Sequence, residues 1–93
     1  MKTTEAEAVH VIAMRTVTLR KSLLTLSEPV TQKVIGTEFT TAHVVVSHGR
    51  CGDTQIFPAD ERGQIVDLLS FWGRDGEHVS PTEAVREWLA GRS

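Results

Sequence analysis

The chain has 93 residues, 40% of them apolar and 24% charged, with a formal net charge of −2. That length holds one hydrophobic core and excludes two well-cored domains, the composition is that of a folding chain rather than a disordered one, and the slight negative charge removes the global attraction to phosphate on which most nucleic-acid binders rely. The single cysteine, Cys51, excludes an internal disulfide framework and fits a reducing, cytoplasmic setting.

In chain order, residues 1–8 are polar and read as a flexible N-terminal tail ahead of a single α+β domain over residues 9–93. Val9, Val11, Ala13, Val17 and Leu19 alternate with polar neighbours, which predicts a strand with one buried face. Ile12 and Arg15 interrupt the alternation, leaving one bent strand or two pieces. Leu23, Leu24 and Leu26 carry apolar character to Pro29, which is expected to end the element. Residues 30–42 read as a strand with a bulge or turn at Gly36. Three consecutive valines, Val44 to Val46, predict a central strand covered on both faces. The HGRCGD stretch is a connection, after which Thr54 to Phe57 return to pair with the valines as an antiparallel hairpin.

Pro58 to Gly63 read as a turn: proline stops the ladder, Asp60 bonds nearby backbone, and Gly63 takes the left-handed conformation. Over residues 64–72, Ile65, Leu68, Leu69 and Trp72 fall at helical spacing, while residues 64–67 fit a returning strand equally well; a short strand followed by a helical turn is expected. Ser80-Pro81-Thr82-Glu83 is an N-terminal helix signature in which the Ser80 and Glu83 side chains would cap the first turn, and Gly91 would stop the helix. Ala84, Val85, Trp88 and Leu89 make its apolar stripe. The expected fold is thus an antiparallel sheet of four or five strands with a C-terminal amphipathic helix packed on one face. No apolar run reaches the roughly 18 to 20 residues of a membrane span.

The stretch Ile56-Phe57-Pro58-Ala59-Asp60-Glu61-Arg62-Gly63, following a valine-rich strand, resembles short uncharacterised bacterial and phage proteins that carry an "IFPADE, any residue, Gly" segment. The resemblance covers the second half of the chain. It implies a context, small accessory proteins of mobile elements, and brings no activity.

Several clusters invite chemistry. His48 and Cys51 have a His-x-x-Cys spacing that gives half a zinc site, but His10, His43 and His78 are scattered. The same pair could form a cysteine nucleophile with its base; a hairpin connection accounts for it without either role. Asp53, Asp60 and Glu61 lack the spacing of a calcium loop. No catalytic residue, metal ligand or cofactor is therefore expected. The sequence predicts a small protein-binding module without catalysis, in its sharpest form a phage or mobile-element inhibitor of a host complex, comparable to an anti-CRISPR. Trp72, Arg74, Asp75 and Glu77, with Arg50 and Asp53, are the candidate partner-binding residues. An unpaired strand edge would offer a second route, to a partner or to a second copy. The alternative is a nucleic-acid-associated regulator using Arg15, Arg20 and Lys21, although the chain has no tyrosine and few aromatics for base stacking. An enzyme built on Cys51 and His48 ranks third.

Overall fold

The computed structural model describes residues 9–92; the expected tail at 1–8 lies outside them. Five strands, β1 (Val11–Thr18), β2 (Lys21–Val34), β3 (Thr37–His48), β4 (Thr54–Pro58) and β5 (Trp72–Arg74), form one antiparallel meander in the order β1-β2-β3-β4-β5, followed by one helix, α1 (Pro81–Gly91). The α+β class and the sheet-plus-helix architecture are those the sequence predicts.

The valines fix the middle of the fold. Val44, Val45 and Val46 are almost completely buried, and β3 is the central strand. Side chains alternate across a strand, so Val44 and Val46 join Leu24, Ile56 and the Ala84, Val85, Trp88 and Leu89 stripe of α1 on one face. Val45 joins Leu23 and Ala59 on the other. Each such buried branched side chain contributes about 1.5–3 kcal/mol. The second face is covered by the loop after β4, where Asp60 builds the expected turn. Its Oδ1 accepts the amides of Arg62 at 2.9 Å and Gln64 at 3.0 Å, and Gly63 sits at φ 87. Gly63 also lies so close to Val17 that a Cβ there would stand 3.0 Å from Cγ2.

The structure corrects four local expectations. The first strand has no buried face. Of the residues expected on that face, Val9, just before β1, is buried in the core, but Ala13 is exposed, Leu19 is 86% exposed in the following turn, and in β1 only Val11 and Val17 are partly covered. Alternation marks a face that could be buried; β1 is an edge strand, and α1 packs chiefly on β2, β3 and β4.

Pro29 does not end its element. Thr25 pairs with His43 and Val30 with Thr41, so Leu26 to Pro29 oppose Ala42 alone. Proline needs no partner for an N–H it lacks, and such a bulge accommodates it.

Residues 64–72 contain no helix: Ile65 forms an isolated bridge to Ala59, and Trp72 begins β5. Their apolar spacing serves two different surfaces. Ile65 packs under Val45, Trp72 packs against the opposite core, and Leu68 is exposed.

Finally, Ser80 stands at the helix N-cap without a side-chain cap bond, and Glu83 accepts instead from Arg86 at 2.7 Å. Gly91 is the last helical residue rather than the stop beyond it.

Candidate functional site

The sheet has two unlike ends. At one end lie the β1–β2 turn, the β3–β4 connection and the loop leading from β5 to α1; at the other the β2–β3 hairpin projects beyond β1.

The first end is built by polar side chains that the strands hold in place. Thr54, the one buried polar residue among those described, begins β4 and carries a hydroxyl that donates to the Glu77 carbonyl at 2.8 Å and accepts from the Val79 amide at 2.9 Å. His48, the last residue of β3, directs Nε2 at the Val79 carbonyl, 2.6 Å away. His78 directs its Nε2 at the Gly49 carbonyl at 2.9 Å, and the two rings stack with centroids 4.9 Å apart. Carbonyls only accept, so each imidazole donates from Nε2. The Arg20 carbonyl, in a left-handed turn residue at φ 67, accepts the His48 amide at 2.9 Å. The Asp53 side chain folds over Gly49: a Cβ there would fall 2.0 Å from Asp53 Oδ1, so a larger residue would displace that carboxylate.

These ties bring together five of the six residues expected to meet a partner. Arg50 and Asp53 lie on the β3–β4 connection, with Arg74, Asp75 and Glu77 on β5 and the loop after it; Gly52 and Gly76 mark where the two segments meet. Arg74 pairs with Glu77 at 3.4 Å and with Glu87 of α1, and its guanidinium lies over the Trp72 ring, 5.4 Å from the centroid. Trp72 itself belongs elsewhere. It is half-buried and walls a cavity of about 470 Å³ between α1 and β2, together with Phe71, Trp88, Gln32 and Arg92. The Phe71 and Trp88 rings stack at 5.3 Å, and Gln32 Oε1 accepts from both Trp88 Nε1 at 3.2 Å and Arg92 Nε at 3.0 Å.

The other candidates are dispersed. Arg15 donates to the Arg62 carbonyl at 3.3 Å on the face away from α1, whereas Arg20 and Lys21 stand at the loop end. Cys51 is exposed, and among the described residues no hydrogen bond joins it to His48. No group of three or more His, Cys, Asp and Glu side chains among the described residues is placed to hold a metal ion. Among the described residues no helix is long and apolar enough to cross a membrane.

Sequence reasoning missed the clamp. His78 stands 30 positions from His48, and the distance is bridged only when β4 and β5 bring the loop before α1 against the end of β3. Thr54 has no sequence signal beyond its place at the start of a strand. Comparison of the chain with family models, with curated proteins and with solved structures returned no match.

Proposed function

We propose that the chain is a small non-enzymatic protein-binding module that acts in the cytoplasm, of the kind with which a phage or other mobile element inhibits a host complex. The observation that carries this reading is the clamped end of the sheet, where Arg50, Asp53, Arg74, Asp75 and Glu77 stand on two connections fixed by Thr54, His48 and His78. Loops already ordered in the free protein lose less entropy when a partner docks. Mixed charges held in fixed positions favour selection and registration of a partner. Trp72 and Arg74, stacked on one another at the margin, are of the residue types that most often anchor interfaces. The narrower attribution to mobile elements rests on the resemblance of the 56–63 segment, and the cytoplasmic setting on the lone cysteine.

The test is capture of host proteins on the purified chain and on an Arg50→Glu, Asp75→Arg variant, both positions being exposed and free of any ion pair among the described residues. A stoichiometric partner retained by the natural chain and lost by the folded variant is the expected result. A partner held equally by both, or no partner at all, would sink the assignment. Binding of DNA or RNA that weakens steeply with salt and depends on Arg15, Arg20 and Lys21 would replace it with the nucleic-acid reading.

A further inference from the structure

The hairpin of β2 and β3 turns on Ile35 and Gly36, at φ 47 and 78. Positive φ at both central residues is the type I′ geometry, for which Asn-Gly is the favoured pair. A β-branched residue in that conformation is a real outlier, and Ile35 is moreover 85% exposed. Strain of this sort, combined with an apolar side chain presented to water, marks a position held for contact rather than for folding.

Along the strand leading to it, the described residues leave one side unpaired beyond Ser27, whose amide donates to the His10 carbonyl at 2.8 Å. β1 pairs with β2 only as far as Leu26, and among the described residues no strand lies along the outer edge of Val30 to Val34. Residues flanking a two-residue turn exchange both backbone bonds, and the pattern alternates from there. Val34 and Gln32 therefore bond to β3, while Thr31 and Lys33 turn their N–H and C=O outward. The Arg92 guanidinium donating to the Thr31 carbonyl confirms the phase. Two cavities border this edge, the aromatic one of about 470 Å³ and a second of about 300 Å³ lined by Val9, Glu28, Pro29, Val30, Thr31 and Arg92.

We propose that a second copy of this chain docks on that edge, β2 against β2 in antiparallel register about Gln32, with Ile35 of each copy seated in the other's cavity beside Pro29. The register follows from self-complementarity. With Gln32 opposite Gln32 on a two-fold axis, the outward Thr31 of one copy meets the outward Lys33 of the other, so all four peptide groups find partners and the two arms become one four-stranded sheet. Beyond the ladder, the same register brings the turn that carries Ile35 toward the bulge at Pro29, whose cavity is walled by Val9 and Val30. No like charges stand directly opposite one another, since Lys33 faces Thr31; the two Lys33 side chains are diagonal neighbours. In the single chain, Arg92 shields the edge by holding the Thr31 carbonyl.

Sedimentation equilibrium of the full chain, from micromolar to near-millimolar concentration, tests this against two variants. Ile35→Asn removes the apolar knob while installing Asn-Gly at the turn, so it folds at least as well; Lys33→Pro removes an outward N–H at an edge position where proline is tolerated. The natural chain is expected to pass from 10.3 kDa to twice that mass. Each variant should raise the dimer Kd by roughly tenfold or more, with far-UV circular dichroism unchanged and the Ile35→Asn melting temperature higher. Arg50→Glu, at the opposite end of the sheet, should dimerise normally. A natural chain that stays monomeric throughout overturns the proposal; protection of the Thr31 and Lys33 amides from hydrogen exchange in that monomer would assign the edge to a strand of the same chain. Dimerisation that survives either substitution overturns it as well.

Discussion

The clamped end and the hairpin arm spend polar groups in opposite ways. At the clamped end, Thr54, His48 and His78 pair with the backbone of facing loops, so segments without regular structure become fixed to strand ends. At the arm, the rings of Phe39 on β3, Phe71 and Trp88 pack in series and hold the β2–β3 hairpin against α1, with Gln32 of β2 accepting from Trp88, while the peptide groups of Thr31 and Lys33 face outward. One end is rigid and charged, and its surface is defined by side chains. The other is held by its apolar side and presents backbone and a single exposed isoleucine. A domain this small buries a limited share of its surface, and here the core supports the arm from one side only.

The largest expected effect lies on the arm side. Trp88→Ala removes a buried ring stacked on Phe71 and the donor to Gln32, and should lower stability by about 4 kcal/mol in denaturant unfolding; a loss below that of a surface substitution would mean that the arm does not depend on α1. At the clamped end, Thr54→Val keeps the shape but strips the hydroxyl from the Glu77 carbonyl and the Val79 amide. It should cost about 2 kcal/mol and speed exchange of the Val79 amide. If that amide stays protected, the clamp rests on the histidines alone.

A smaller effect of opposite sign is expected from Ile35→Asn, which should stabilise the isolated chain by about 1 kcal/mol because asparagine tolerates the left-handed region that isoleucine resists. An unchanged or lowered melting temperature would show that the turn is not strained. The smallest effect belongs to the turn on the face away from α1. The amide of Gln64 above all, helped by the amide and charge of Arg62 and the Gly63 amide and opposed by burial, holds the Asp60 carboxyl below its usual value of 3.8. A depressed folded-state pKa means that this stabilisation is in place above the ordinary aspartate value and is lost as pH falls through the lower, folded one. Acid titration of stability should therefore be shallower in Asp60→Asn than in the natural chain, with both ends of the sheet unaffected.

Much of the fold was legible because its signals are local or statistically strong. Three adjacent valines have few explanations other than a strand covered on both faces. Pro58, Asp60 and Gly63 each supply a distinct requirement of one turn. The α1 stripe was correct even though its expected cap was not, since burial of Trp88 and Leu89 determines the helix while Glu83 finds a nearer partner in Arg86. Of the candidate site, the residues were named but not their grouping: Arg50 and Asp53 join Arg74, Asp75 and Glu77, while Trp72 goes to the aromatic cavity.

By itself, then, the sequence determined the class of fold, the central strand, the turn at Asp60 and the helix, because periodicity and turn chemistry act over a few residues. Only the tertiary structure decided that β1 is an edge with both faces largely exposed, that β2 continues through Pro29, that residues 64–72 are extended, and that His48 meets His78. Each of those depends on what lies across a gap in the chain, and whether an apolar face is covered or a polar group is paired is a property of its neighbours in space.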